Sequence, residues 1–330
     1  LRFSLVLMAV SLVGLFVELK TKALPYLLMP AALIALTVLL PGGVIKPVEH
    51  GKLLYETESA YNYIQVVEWA GETWLKLNEG QGVHSIYDPD RVLVGGIWDY
   101  FLIAPYFNNP PHTADQVDSL ALIGSAAGTI PKQYTAVYGP IPIDGAEIDP
   151  EIIRVGREYF DMNEPNFNAV AQDGRYFLAN SSETNDVVAI DAYRTPYIPF
   201  HLTTQEFFAE AREHLTERGV VAINAGRTNT NWSLVEALAS TLKAEFPNVY
   251  LVDTETTGQD VMNVLVVATK QRTSLGNLAE NAALVTHPLL QQIVGSAVAR
   301  SEEFTEPTVI LTDDKAPVEQ LVHGLILDFV

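Results

Sequence analysis

Ser119-Leu-Ala-Leu-Ile-Gly124-Ser-Ala-Ala-Gly128-Thr129 and, after a short helical stretch, Ile141-Pro-Ile-Asp-Gly-Ala-Glu147-Ile-Asp149 decide the fold. An apolar run ends in a glycine-rich bend, and a second apolar run ends in an acid 19 positions after Gly128. This is the spacing of a nucleotide-binding β-α-β unit. Glycines let the backbone approach the ligand, and a carboxylate at the next strand tip accepts hydrogen bonds from ribose hydroxyls. The bend is not the dinucleotide fingerprint, so it does not carry the reading alone. Phe167-Asn-Ala-Val-Ala-Gln-Asp173-Gly174 and Asp186-Val-Val-Ala-Ile-Asp191 also end apolar runs on aspartates. Four strand tips are therefore expected to face one crevice, where open α/β sheets bind ligands.

Outward from this stretch, strands and helices alternate. Helices are expected over Asp149–Phe160, Thr203–Leu215 and about Ser233–Phe246, with strands at Gly219–Asn224, Val249–Val252 and Val261–Thr269. That alternation predicts a mostly parallel sheet with crossover helices. Towards the N-terminus, Leu53–Ser59, Tyr61–Trp69 and Thr73–Asn78 are rich in β-branched and aromatic residues, with Ala70-Gly71 between two of them. They read as a small antiparallel sheet. Trp98–Leu102 reads as a short helix, and Asn108-Asn-Pro-Pro-His112 as a linker.

Phe3–Val17 holds fifteen uncharged residues and Ala23–Ile45 twenty-three, enough in the second case to cross a bilayer core of about 30 Å. Two transmembrane helices are the expectation, with multi-pass membrane localisation and the remaining chain on the cytoplasmic side. The expected organisation is residues 1–46 in the membrane, 47–112 as a β-domain with its connecting helix, and 113–330 as a Rossmann-like catalytic domain.

The formal net charge is −20, and residues 1–46 contribute four basic side chains against one acid. An acidic surface repels nucleic acid, whose binding requires neutralised phosphates. With no cysteine, disulfides, thiol nucleophiles and zinc–thiolate sites are excluded. The seven histidines show no metal-ligand spacing.

From about Leu53 to Glu319 the chain resembles the spermidine synthase (polyamine aminopropyltransferase) family, in particular its membrane-embedded branch. The stretches that carry the resemblance are Tyr55–Glu68, Gly124–Gly128, Glu147-Ile-Asp149, Asp173-Gly174, Asp191-Ala-Tyr193 and Leu311–Asp314. The resemblance implies a seven-stranded, methyltransferase-like Rossmann sheet behind the small β-domain. It also implies aminopropyl transfer from decarboxylated S-adenosylmethionine to a polyamine or other amine, with no permanently bound cofactor and no metal. It admits a homodimer. Gly124, Gly128, Glu147, Ile148, Asp173 and Gly174 would form the nucleoside site, with Glu147 on the ribose and Asp173 on the adenine amino group. Asp191 would be the catalytic base, and Tyr193 would line the acceptor channel. From their place in the β-domain, His84 and Tyr63 are read as further candidates that close over the crevice on the substrate side.

Two departures bear on the donor. Ala127 stands where the family's glycine loop usually has an aspartate, and Asp191-Ala-Tyr-Arg194 replaces an Asp-Ser-Ser-Asp tetrad. An arginine near the donor tail pairs with the carboxylate of intact S-adenosylmethionine and repels an aminopropyl ammonium. A methyltransferase is therefore the second reading, and an inert nucleoside-sensing domain the third. Asp149, ahead of Pro150, reads as a helix cap, and Asp313-Asp314 as a turn.

Overall fold

The computed structural model describes residues 2–39, 45–78, 82–193, 197–254 and 262–328, and divides the chain into two compact units, 1–49 and 50–330. In the first unit, helix α1 (Arg2–Leu19) is followed by a 3₁₀ segment (Lys20–Leu27) and helix α2 (Leu28–Leu39). The uncharged run from Ala23 is therefore not one helix. Pro25 lies inside the 3₁₀ segment, where a residue without an N–H interrupts an α-helical ladder. The twelve described residues of α2 rise about 18 Å, against a hydrocarbon core of about 30 Å. Among the described residues no helix is long and apolar enough to cross a membrane. This corrects the expectation of two transmembrane helices, and with it the membrane partner and the multi-pass localisation.

The second unit begins with the antiparallel meander β1 (Lys52–Glu58), β2 (Tyr63–Trp69), β3 (Glu72–Leu77) and β4 (Val83–Tyr87). Ala70 and Gly71 turn β2 into β3 with φ of 55° and 90°, the double positive φ that two-residue hairpins favour. Helix α3 (Ile97–Phe101) then leads to a segment that is no loose linker. Asn108 and His112 are buried. The Asn281 amide donates to the carbonyls of Tyr106 (2.9 Å) and Asn108 (2.8 Å), and its oxygen accepts from the His112 N–H (2.9 Å). Hydrogen bonds to a buried asparagine satisfy backbone that would otherwise need water.

The remaining elements are β5 (Leu120–Ile123), α4 (Thr129–Tyr138), β6 (Ile143–Glu147), α5 (Pro150–Tyr159), β7 (Phe167–Ala171), α6 (Gly174–Ala179) and β8 (Asn185–Ile190). There follow α7 (Gln205–Glu213), β9 (Leu215–Arg227), α8 (Ser233–Glu245), β10 (Asn248–Thr254), β11 (Met262–Thr269), α9 (Leu275–Ala282), α10 (Pro288–Ala299), β12 (Ser301–Glu303) and α11 (Val318–Leu327). The sheet order is β12-β10-β11-β9-β8-β5-β6-β7. Strands β5 to β9 are parallel, and β11 is antiparallel to both β9 and β10. The described sheet has eight strands rather than seven, because three residues of β12 pair with the edge of β10.

Alternate residues feed two cores. Val188, Ile190, Val221 and Ile223 pack on the face covered by α7, α8 and α11. Val187, Ala189, Val220 and Ala222 pack on the face with α3, α9 and α10. Apolar side chains on both faces are what a covered parallel sheet requires. A third cluster joins Ile64, Val66 and Leu75 of the meander to Ile152 and Val155 of α5. Asp149 reinforces that junction. It caps α5 through the Glu151 N–H (3.0 Å) and accepts from Ser59 Oγ (2.5 Å) and Asn62 Nδ2 (3.1 Å).

Candidate functional site

Chain direction over the sheet reverses at β5: β6 and β7 lie to one side, β8 and β9 to the other. A cavity of about 1240 Å³ opens over this switch point, between the strand tips and the meander. Gly124, Glu147, Ile148, Asp173, Gly174, Asp191, Tyr193 and His84 all line it. The four strand tips do converge, as crevices at switch points require. Gly128 and Tyr63 are not brought to the cavity. Gly128, at φ 92°, opens α4 against Met162. Tyr63 is nearly buried, and its hydroxyl donates to Glu56 (2.5 Å).

Gly124 has a backbone reason. Its φ is 85°, and a Cβ there would lie 2.5 Å from the Asp191 carbonyl oxygen. Only glycine lets the β5 tip pass this close to the β8 tip. Ala126 lines the cavity, whereas Ala127 is buried among the meander and α5 residues, its N–H donating to Ser85 Oγ (3.0 Å). Of the two loop alanines, Ala126 faces the cavity and Ala127 faces the meander. Arg194 lies outside the described residues.

Glu147 accepts from the N–H groups of Ala126 (3.0 Å) and Asp149 (3.1 Å). Burial pushes its carboxyl up to about 7 against these bonds. Asp173 caps α6 through the Arg175 and Tyr176 N–H groups (both 3.0 Å), and its other oxygen meets His201 Nε2 at 2.8 Å. Burial opposes ionisation here too, but the Tyr176 N–H and His201 outweigh it and hold the carboxyl below its usual range. Burial takes His84 down to about 4, which leaves a neutral imidazole at physiological pH.

Asp191 sits in the middle of the cavity floor. Trp98 Nε1 donates to one oxygen (3.0 Å) and Asn224 Nδ2 to the other (2.8 Å). Burial raises its carboxyl to about 7 in spite of both. The Asn224 amide is itself fixed, since its oxygen accepts from Asn263 Nδ2 (2.7 Å). Trp98 is held through its neighbour Asp99, a buried carboxylate that takes the Val94 and Gly95 N–H groups and Gln133 Nε2. Trp98, Asn224, Asn263 and His201 were not legible as site residues in the sequence. Asn224 alone carried a usable signal, because it closes an apolar strand run as Asp173 and Asp191 do.

A spermine/spermidine synthase domain is matched over residues 139–276. A relative from Bifidobacterium longum, a probable polyamine aminopropyl transferase, is 33% identical over 296 residues, 83% of this chain and 63% of that protein. The chain carries a spermine/spermidine synthase domain. A polyamine aminopropyltransferase from Vibrio vulnificus is 24% identical over 82% of this chain and 91% of its own length. In fold, the chain is similar to a probable spermidine synthase from Corynebacterium glutamicum (TM-score 0.61, 16% identity, 85% of this chain and 94% of that one). It is likewise similar to spermidine synthase from Thermotoga maritima (TM-score 0.57, 16% identity, 75% and 84%). The chain thus spans less than two thirds of the Bifidobacterium relative.

Proposed function

We propose that this chain transfers an aminopropyl group from decarboxylated S-adenosylmethionine to an amine, with Asp191 as the base. The observation that carries the reading is a buried carboxylate poised near pH 7 in mid-cavity, flanked by the carboxylates of Glu147 and Asp173. The nucleoside lies over β5, β6 and β7. Glu147 accepts from its ribose hydroxyls, Ile148 offers an exposed apolar face to the base, and Asp173 accepts from the adenine amino group. Both carboxylates keep lone pairs for this, since each oxygen has room for more than one donor.

The acceptor arrives as an ammonium, because a lysine-like amine has a pKa of about 10.4. Asp191 orients it and takes one proton. The freed lone pair attacks the aminopropyl carbon next to the sulfonium. As the N–C bond forms, the C–S pair returns to sulfur, releasing neutral methylthioadenosine and a secondary ammonium. A base poised near the working pH suits this step, and positioning supplies much of the rest.

The sign of the pH dependence follows. Asp191 must be ionised to act, so kcat with both substrates saturating falls about tenfold per unit below pH 7 and levels off above it, while kcat/KM for the donor falls more steeply because Glu147 is raised to about 7 as well. Trp98→Phe removes a donor to the anion, which moves the inflection upwards and slows turnover at neutral pH severalfold. A profile flat from about pH 6 to 8 would assign the proton to another group.

A further inference from the structure

We infer that His201 is a positioning residue for the base of the donor: its Nε2–H aims the Asp173 carboxylate and so sets a preference for adenine over 6-oxopurines. The inference rests on the aminopropyl-transfer reading, with the nucleoside over β5, β6 and β7. Asp173, Pro199, His201 and Leu202 all line the cavity. The cap of α6 uses only one oxygen of Asp173, since Oδ1 accepts from the Arg175 and Tyr176 N–H groups, both at 3.0 Å. A carboxylate held at one oxygen can still swing the other. His201 Nε2, 2.8 Å from Oδ2, stops that swing. Asp173 is held below the usual carboxylate range and is ionised at neutral pH. An ionised carboxylate only accepts, so the bond fixes the imidazole proton on Nε2, and Oδ2 keeps a second lone pair for the ligand.

The imidazole is itself held from behind. It belongs to the 3₁₀ turn Phe200–Leu202, and its carbonyl accepts from Arg175 Nη1 (3.4 Å). Arg175 pairs with Glu210 through Nε (3.0 Å) and Nη2 (2.6 Å), and with Asp313 through Nη1 (2.7 Å) and Nη2 (2.9 Å). Asp313 also accepts from Thr204 Oγ1 (2.7 Å). Bidentate guanidinium–carboxylate pairs fix direction as well as distance. The Asp313-Asp314 turn therefore braces the turn that carries His201. Adenine presents an amino donor where a 6-oxopurine presents a carbonyl oxygen. A carboxylate oxygen pinned in place attracts the first and repels the second, whereas one free to turn away discriminates less.

The test is calorimetric titration of methylthioadenosine, and of its 6-oxo counterpart methylthioinosine, into wild type and two variants. Wild type should prefer the adenine nucleoside by at least about tenfold. His201→Phe keeps a ring beside Phe200 and removes the N–H, so it should narrow that preference about fivefold or more. His201→Gln loses the ring but carries an N–H to a similar reach as Nε2, and should keep the preference. An unchanged preference in His201→Phe overturns the inference. So does a preference narrowed as much in His201→Gln, which would assign the effect to ring packing. If His201→Phe does not fold, nitrogen-15 NMR of wild type bound to methylthioadenosine decides. A His201 proton on Nε2 is expected, and one on Nδ1 alone overturns the inference. Failure of methylthioadenosine to bind would overturn the transferase reading and this inference with it. Methylthioadenosine bound no more tightly than methylthioinosine overturns the inference alone.

Discussion

Asp191→Asn lowers turnover by roughly 10²–10⁴-fold while methylthioadenosine still binds. The substitution keeps the size of the side chain and removes its capacity to take a proton. The surroundings make the amide a poor substitute in a second way. Asn263 pins the Asn224 amide so that its NH₂ faces position 191, and Trp98 offers another N–H from the other side. A carboxylate accepts from both, whereas an asparagine must turn its own NH₂ towards one of them. Leaving a buried donor without an acceptor costs about 1–3 kcal/mol. The variant should therefore melt cooperatively at a somewhat lower temperature and retain nucleoside affinity, since Glu147 and Asp173 are untouched. Turnover within about threefold of wild type would remove Asp191 from the chemistry, and the neutral imidazole of His84 would be the next base to test.

Glu147→Gln weakens methylthioadenosine binding by about tenfold to a hundredfold, the scale of a lost charge-assisted hydrogen bond. One carboxylate here serves two purposes. It holds the Ala126 and Asp149 N–H groups, which set the glycine loop and the start of α5, and it faces the cavity. A glutamine presents its NH₂ to one of those N–H groups, so the loop shifts as well as the ligand contact. The effect should appear in binding far more than in the pH at which kcat turns over with donor saturating, because that inflection belongs to Asp191. Unchanged affinity in a folded variant would mean that the nucleoside does not lie over β6.

The strand tips were legible because the crevice of a parallel sheet is written locally. An apolar run, a bend and an acid identify each tip, and parallel topology brings the tips together. Asp173 and Asp191 were found this way, and Asn224 would have been had amides been weighed beside acids. Trp98 and His201 were not legible, since their roles depend on pairing across 93 and 28 residues of chain. The hydrogen-bonded ties of Asn281 are equally non-local, so Asn108–His112 read as a linker from its composition while the fold buries its two ends. The direction of the Ala127 side chain was not legible in the motif either. A residue at φ 44°, Ala126, turns the chain so that its neighbour points into the meander core. At the N-terminus, composition gave length without geometry. Twenty-three uncharged residues are long enough to span a bilayer only as one helix, and the first of them, from Ala23 through Pro25 to Leu27, lie in a 3₁₀ segment.

The most direct test of the central claim is to incubate the chain with decarboxylated S-adenosylmethionine and a panel of diamines and alkylamines, hexylamine among them, and separately with intact S-adenosylmethionine, and to identify the products by mass spectrometry. Methylthioadenosine and an amine longer by one aminopropyl group, formed in equal amounts and only with the decarboxylated donor, are the predicted result. S-adenosylhomocysteine with a methylated amine, or no transfer to hexylamine or to any diamine by a protein that binds the donor, would contradict it.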